Sequence, residues 1–138
     1  MPLTDKRIFV VEDNLENRII FQFILLQEGA KVEFDRWGRD TIRRLQAFAP
    51  VDIILLDLML GAGITGFQIY DEIRKVPEFA KTPVVAVSAT DPATAIPKTK
   101  MKGFSGFIAK PVNESTFAGQ LEKILGGEPL WYSGGRWG

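Results

Sequence analysis

Five short apolar runs recur along the chain, separated by longer stretches in which apolar residues follow helical spacing. The runs are Ile8-Phe9-Val10-Val11, Val32-Glu33-Phe34, Ile53-Ile54-Leu55-Leu56, Val84-Val85-Ala86-Val87 and Phe107-Ile108-Ala109. Short apolar runs that alternate with helical patterns are typical of βαβ units around a mostly parallel sheet. The pattern therefore predicts an α/β protein with a doubly wound, five-stranded parallel sheet.

The make-up of the runs predicts the order of the strands. The first, third and fourth runs are apolar throughout, as expected for strands that helices cover on both faces. The second run alternates with polar residues, and the fifth is short and flanked by Gly106 and Lys110, so both suit the edges of a sheet. The order 2-1-3-4-5 meets these requirements and places a ligand crevice at the carboxyl ends of strands one and three.

Apolar spacing also predicts which helical faces pack on the sheet. In the first helix the predicted core-facing positions are Leu15, Ile19, Phe23 and Leu26, opposite the polar positions Glu16, Arg18, Gln22 and Gln27. A later helix begins at Thr65, which has capping-box spacing to Gln68 and is followed by inward-facing Ile69 and Ile73. The last helix has Asn113 as its predicted N-cap and an apolar face of Phe117, Leu121, Ile124 and Leu125.

The segment after the fourth run is the least regular of the predicted helices. Asp91 and Pro92 form a good N-cap and first turn, but Pro97 removes a backbone donor inside the helix. The lysines that follow are predicted to form a solvated face, and they are Lys98, Lys100 and Lys102. The sequence therefore predicts a fourth helix that is short, irregular or mobile.

Composition narrows the chemistry available to the 138 residues. Lys and Arg number 17 and Asp and Glu number 17, so the net charge is zero and a general nucleic-acid binder is disfavoured. No apolar run approaches the roughly 20 residues of a membrane span, and the amino-terminal residues lack a signal-peptide core. The absence of Cys and His excludes disulfides, thiol nucleophiles, imidazole acid–base groups and His-ligated zinc. Carboxylates, hydroxyls, Lys and Arg are left to carry any chemistry.

Charged and hydroxyl residues follow the predicted strands at their carboxyl ends, where such sheets bind ligands. Glu12 and Asp13 follow the first strand and Asp57 the third, while Ser88 and Lys110 end the fourth and fifth. Three converging carboxylates repel one another unless a cation intervenes, and hard oxygen ligands favour Mg²⁺ or Mn²⁺. Lys110 and Ser88 then offer a cation and a hydroxyl to a tetrahedral oxyanion attached to a carboxylate. Each residue alone has an ordinary structural explanation, but their joint placement indicates a site.

Four motifs together resemble the receiver domain of bacterial two-component response regulators, over residues 5–125. They are Val10-Val11-Glu12-Asp13-Asn14, Leu55-Leu56-Asp57-Leu58-Met59, Val85-Ala86-Val87-Ser88-Ala89 and Lys110-Pro111. The resemblance implies a flavodoxin-like three-layer α/β sandwich in which the Lys110-Pro111 bond is cis. It also implies a cytoplasmic signalling switch rather than a metabolic enzyme.

The resemblance assigns the acidic residues to phosphoryl transfer. Asp57 would accept a phosphoryl group from a phosphohistidine on a sensor histidine kinase or a histidine phosphotransfer protein, so the missing His would come from the partner. Asp13 and Asp57 would bind Mg²⁺ directly, the Met59 carbonyl would complete the protein ligands, and Glu12 would act mostly through water.

The resemblance also assigns the signalling residues. Ser88 and Lys110 would hold the phosphoryl oxygens, and Phe107 would move between outward and inward rotamers as Ser88 shifts. The face made by helix four, strand five and helix five would then contact a downstream protein target.

The loop after Asp57 departs from the family pattern. Gly61 takes the place of the usual Pro, and Gly66 lies nine positions after Asp57, where a glycine eight positions after it is usual. The sequence therefore predicts a longer and more flexible loop beside the acceptor.

Residues 126–138 lie outside the resemblance and form a Gly- and aromatic-rich tail, too short for a DNA-binding domain. The tail is either disordered or packs Trp131 and Tyr132 on the domain or on a partner. Together with the Phe107 face, it is a candidate surface for a homodimer.

A stand-alone receiver is the main expectation. A receiver-like binding module that is never phosphorylated stays open as the alternative, although a degenerate domain need not keep the whole set of site residues.

Overall fold

The computed structural model describes residues 3–36, 38–61 and 63–134. The strands are β1 (Arg7–Val11), β2 (Lys31–Asp35), β3 (Ile53–Leu56), β4 (Val84–Ser88), β5 (Gly106–Ala109) and β6 (Leu130–Tyr132). The helices are α1 (Leu15–Gln27), α2 (Thr41–Phe48), α3 (Gly66–Lys75), α4 (Pro92–Lys102) and α5 (Phe117–Leu125), with a 3₁₀ turn at Pro77–Phe79. Strands and helices alternate, as the apolar runs predict.

All strands of the sheet are parallel and follow the order β2-β1-β3-β4-β5-β6. The doubly wound α/β class and the order 2-1-3-4-5 are confirmed, but the predicted count of five strands and the placement of β5 at an edge are wrong. After α5 the chain turns back and residues 130–132 pair with β5. The reason for the error is that three residues in a Gly-rich segment are too short a run to stand out as a strand.

Helices cover both faces of the sheet, which makes three layers. On one face, side chains from α2, α3 and α4 pack with β1, β3, β4 and β5, around Phe9, Ile54, Leu56 and Phe107. On the other face, α1 and α5 pack against the alternate residues of the same strands. Burial on both faces explains why β3 is apolar throughout and why β1 and β4 are apolar except at Arg7 and Ser88. None of the helices within the described ranges is long and apolar enough to cross a bilayer.

Helix α1 is rotated relative to the sequence prediction. Its buried residues are Arg18, Phe21, Ile24 and Leu25. The residues predicted to face the core face outward instead. They are at least 45% exposed, as is the neighbouring Ile20, and the exposed set is Leu15, Ile19, Ile20, Phe23 and Leu26. Apolar side chains occur around most of the circumference of this helix, so their spacing is compatible with burial of either of two faces. The face with Phe21 is the buried one because Phe21 stacks on Phe117 of α5, with ring centroids 5.7 Å apart.

Helix α4 runs for eleven residues, so the prediction of a short or irregular helix is wrong, and the mobility of this segment stays a prediction. Asp91 caps its start, Pro92 occupies the first turn, and Gly103 ends it at a φ of 101°. Pro97 lies inside the helix, but Ala95 and Thr99 beside it are buried and hold the helix on the sheet. Tertiary packing therefore compensates for the single backbone donor that proline lacks.

The predicted N-terminal cap is confirmed for α3 and wrong for α5. Thr65 and Gln68 form the predicted capping box at the start of α3. The N-cap prediction for Asn113 is wrong, because α5 begins only at Phe117. Asn113 instead accepts hydrogen bonds from the backbone and hydroxyl of Ser115, in a turn that precedes the helix.

Candidate functional site

The carboxyl edge of the sheet brings the predicted site residues together. Glu12 follows β1, Asp57 follows β3, Ser88 ends β4 and Lys110 follows β5. Adjacent parallel strands end side by side, so residues far apart in sequence become neighbours. The Lys110-Pro111 peptide bond is cis, as the resemblance implies, and Ala49-Pro50 is also cis.

Lys110 connects two of the acidic residues. Its Nζ donates to Glu12 Oε1 at 2.6 Å and to Asp57 Oδ2 at 2.9 Å. Glu12 is 1% exposed and Asp57 7% exposed, so both charges are screened from bulk water. A buried pair of carboxylates needs such a cation, since each unpaired charge would carry a large desolvation cost.

Protonation at the site reflects this crowding. Burial raises the pKa of Glu12, and the nearby charge of Asp57 adds to the effect, against the opposing influence of Lys110. Burial alone would lower the pKa of Lys110, but the charge of Asp57 and the hydrogen bonds to Glu12 and Asp57 outweigh it and raise that pKa. Lys110 is therefore held as a cation at neutral pH.

The acidic residues are also close enough to hold a metal ion. One carboxylate oxygen from each of Glu12, Asp13 and Asp57 lies within 4.8 Å of the others. Asp13 is half-buried, so the cluster is reachable from solvent. An all-oxygen donor set with room for water suits Mg²⁺, which keeps several water ligands in proteins. The residues present therefore fit this ion.

Met59 and Gly61 line the solvent side of the cluster. Met59 forms an isolated antiparallel bridge with Thr65, and the hydrogen bonds of that bridge join Leu58 to Gly66 and Leu60 to Ile64. Met59 N donates to Asp57 Oδ1 at 3.2 Å, which ties this segment to the carboxylate. Gly61 N donates to Asp13 Oδ2 at 3.0 Å, so the loop predicted to be flexible is bonded to an acidic residue of the cluster.

A pocket of about 280 Å³ opens beside Asp57. Its lining residues are Asp57, Met59, Ser88, Ala89, Thr90 and Lys110. Ser88 Oγ lies 3.0 Å from Asp57 Oδ1 and 2.9 Å from Thr90 Oγ1. The Ser88 hydroxyl at the end of β4 and the Lys110 cation after β5 therefore face the Asp57 carboxylate, in a space large enough for a tetrahedral oxyanion.

Arg18 supports the acidic residues, although the apolar spacing predicts it on the solvent side of α1. Its Nη1 donates to the backbone carbonyls of Glu12 at 3.1 Å and Asp13 at 3.0 Å. The arginine is buried and fixes the backbone from which both carboxylates project. In the sequence, the one sign of this role is that Arg18 stands among residues of α1 that are apolar and buried. That pattern does not show which groups Arg18 contacts.

Phe107, the predicted switch residue, lies in the core at 0% exposure. Its neighbours in register are Ala86 on β4 and Trp131 on β6. In this structure Phe107 therefore has its inward position, and the Ser88 hydroxyl is directed at Asp57.

Comparisons with known proteins agree with this arrangement. The family model described as the response regulator receiver domain matches residues 8–122. Protein PilH of Pseudomonas aeruginosa is 27% identical over 121 residues, which cover 88% of this chain and 98% of that protein. The polar-differentiation response regulator DivK of Brucella ovis is 25% identical, over 88% of this chain and 97% of its own length. The structure of the chemotaxis response regulator CheY4 of Vibrio cholerae superimposes with a TM-score of 0.78, at 25% identity, over 88% of this chain and 99% of that one.

Proposed function

The chain belongs to the response regulator receiver domain family, and on that premise we propose that Asp57 is the residue that becomes phosphorylated. Receiver domains are signalling switches rather than metabolic enzymes and accept phosphoryl groups from histidine kinases. For this chain the donor is proposed to be the phosphohistidine of a sensor histidine kinase or of a histidine phosphotransfer protein. The chain itself contains no His that could serve as an internal donor.

The proposed step forms one bond and breaks another. A carboxylate oxygen of Asp57 attacks phosphorus, the P–N bond to the donor imidazole breaks, and its electron pair leaves with the ring nitrogen. Phosphoryl transfer depends mainly on positioning and on neutralising charge. Lys110 Nζ lies 2.9 Å from Asp57 Oδ2 and Ser88 Oγ lies 3.0 Å from Asp57 Oδ1, and both would contact the transferred oxygens.

Mg²⁺ is the proposed cofactor of this step. Asp13, Asp57 and the Met59 carbonyl would hold it directly, and Glu12, whose carboxylate lies close to those of Asp13 and Asp57, would act mostly through water. The ion would neutralise charge on the incoming phosphoryl group, so that a carboxylate can approach an anionic donor. The chain itself keeps the carboxylates together, because Lys110 donates to the Glu12 side chain and Arg18 donates to the Glu12 backbone carbonyl.

The observation that carries the proposal is the position of Lys110 between Glu12 and Asp57, opposite the Ser88 hydroxyl. A binding module that is never phosphorylated has no need for a cluster of three buried or half-buried carboxylates, two of them paired with one lysine, because such clusters cost stability. The phosphorylation-independent module is therefore the less favoured alternative.

The exposed apolar stripe of α1 is proposed as the docking surface for the phosphodonor. This stripe consists of Leu15, Ile19, Ile20, Phe23 and Leu26. Helix α1 begins two residues after Asp13, so the stripe is continuous with the rim of the acidic cluster. A phosphohistidine held over Asp57 brings its own protein against this helix, and an apolar helical face on that protein would cover the stripe.

Output is proposed to pass through the face of α4, β5 and α5, where β6 covers the outer edge of β5, to a downstream protein rather than to DNA. Phe107 lies on β5, whose neighbour β4 ends in Ser88. A change in the hydrogen bonds of Ser88 can therefore reach this face through two packed strands.

Beryllofluoride, a mimic of the phosphoryl group, tests the proposal. Amide NMR spectra of the wild type are expected to show saturable, Mg²⁺-dependent shifts near Ser88, Phe107 and α4. Asp57→Asn should abolish them, whereas Asp71→Asn, at an exposed carboxylate paired with Lys102, should leave them intact. A folded wild type that does not respond would favour the phosphorylation-independent module.

A further inference from the structure

We propose that Trp131, on β6, is a positioning residue that holds Phe107 in its buried position and so prepares the site for the phosphoryl group. This inference rests on the proposed function and adds a residue from outside the segment 8–122 that the family model matches. It assigns a role to β6, a strand that the apolar runs do not predict.

The register of β6 places Trp131 directly beside Phe107. Leu130 pairs with Gly106, Trp131 with Phe107 and Tyr132 with Ile108. Residues in register on neighbouring parallel strands point to the same face of the sheet. Trp131 accordingly packs against the core cluster that contains Phe107, while Tyr132 packs against the cluster on the opposite face.

Strand β6, which carries Trp131, contacts both β5 and α4. A Cβ at Gly106 would lie 2.6 Å from the Leu130 carbonyl oxygen, so the absence of a side chain at that position allows the backbone of β6 to approach β5. Leu130 N donates to Ser105 O at 3.3 Å. On the helix side, Lys100 Nζ of α4 lies 5.2 Å from the centroid of the Trp131 ring, within the range of a cation–π contact.

Phe107 in turn connects Trp131 to the site. It pairs with Ala86 on β4, and the next pair on the same face is Ala109 with Ser88. The core on this face is close-packed, so a ring at Phe107 that turned toward the outer edge of β5 would need the space that Trp131 fills. Trp131 therefore keeps Phe107 beside Ala86, in the arrangement in which Ser88 Oγ faces Asp57.

The consequence is a preorganised site. When only a fraction of molecules holds the binding-competent arrangement, the apparent affinity for a ligand falls by that fraction. With Trp131 in place, Phe107 and Ser88 already have their inward positions, so little of the binding free energy is spent on arranging them. Without the indole ring, Phe107 gains a second position and the apparent affinity for a phosphoryl mimic decreases.

Three substitutions on full-length protein separate this role from a general structural one. Beryllofluoride binding with Mg²⁺ would be followed by fluorine NMR, and Mg²⁺ binding alone by calorimetry. Trp131→Ala is expected to weaken beryllofluoride binding about three- to tenfold while Mg²⁺ binding stays unchanged. Trp131→Phe, which retains a ring, should restore the affinity to within about twofold. Tyr132→Ala, on the same strand but the other face, should leave it unchanged.

Lys100→Gln gives a second, milder test if Trp131→Ala unfolds the protein. It removes the cation over the ring without altering β6, and about a twofold loss of beryllofluoride affinity is expected. Equal beryllofluoride affinity in Trp131→Ala and the wild type would overturn the role of Trp131 and leave the proposed function standing. Equal losses of Mg²⁺ and beryllofluoride affinity would also overturn it, since both would then reflect general loosening. A wild type that binds no beryllofluoride would overturn the proposed function, and this inference with it.

Discussion

Gly66 and Asp57 lie so close together that no side chain fits between them. A Cβ at Gly66 would be 2.3 Å from the Asp57 carbonyl oxygen and 2.9 Å from Leu58 Cα. Gly66 N also donates to Leu58 O at 2.9 Å. The first turn of α3 is thereby packed directly on the backbone that carries the Asp57 carboxylate.

Gly66→Ala is expected to lower the free energy of unfolding by about 1–3 kcal/mol, because the methyl group must displace backbone rather than a flexible side chain. Urea denaturation would measure the change. The matched control is Gly119→Ala in α5, where a Cβ meets nothing within 4 Å, and there alanine should stabilise by about 0.5–1 kcal/mol. A Gly66→Ala protein as stable as the wild type would show that α3 and the segment after β3 can separate at no cost.

Arg18→Met is expected to weaken Mg²⁺ binding about tenfold, although Arg18 contributes no ligand atom. The substitution removes the donors that hold the Glu12 and Asp13 carbonyls, and groups that orient metal ligands have effects of this size. Calorimetric titration with Mg²⁺ would measure the change. Arg43→Met serves as the control, because Arg43 is exposed and pairs with Asp40 away from the site. Equal affinities in the two variants would argue against a supporting role for Arg18.

Lys110→Met is expected to separate metal binding from phosphoryl binding. Glu12 and Asp57 lose their shared cation, so the free energy of unfolding should fall by about 3 kcal/mol without Mg²⁺. Added Mg²⁺ should restore much of that loss and bind at least as tightly as in the wild type, since it meets no competing positive charge. Beryllofluoride affinity should fall by more than tenfold, because the cation that contacts the phosphoryl oxygens is missing. Retained beryllofluoride affinity, measured by fluorine NMR, would contradict the role given to Lys110.

Phe23→Ser on the exposed stripe of α1 is expected to slow phosphotransfer from a histidine kinase at least tenfold. Phosphorylation by acetyl phosphate, which needs no protein surface, should keep the wild-type rate. Phe23 is 53% exposed and lies away from the acidic cluster, so the substitution changes the docking surface alone. Gln22→Ser, at an adjacent exposed position, is the control. The measurement is the rate of transfer of labelled phosphate to each variant, and equal slowing with both donors would point to the site rather than the surface.

The strand pattern and the site residues could be predicted because both depend on local sequence. Strands such as Ile53–Leu56 are buried on two faces and are therefore apolar throughout, and a parallel sheet gathers whatever follows its strands at one edge. The positions of Asp57 and Lys110 followed from these two facts without knowledge of the packing.

The features that escaped prediction depend on contacts between distant elements. The buried face of α1 was decided by the stacking of Phe21 on Phe117, 96 positions later, and the helix is apolar enough for either face to be the buried one. Likewise β6 forms because Gly106 leaves room for the Leu130 backbone, a fit that neither segment displays alone.

The sixth strand also bears on where this protein can be cut for expression. A boundary drawn at residue 122, where the family match ends, would remove Leu130–Tyr132 and leave β5 as an open edge of apolar residues. Unpaired, apolar strand edges recruit other strands, so the shortened protein would be prone to aggregation in concentrated samples. Keeping the chain through residue 134 retains the strand that closes this edge.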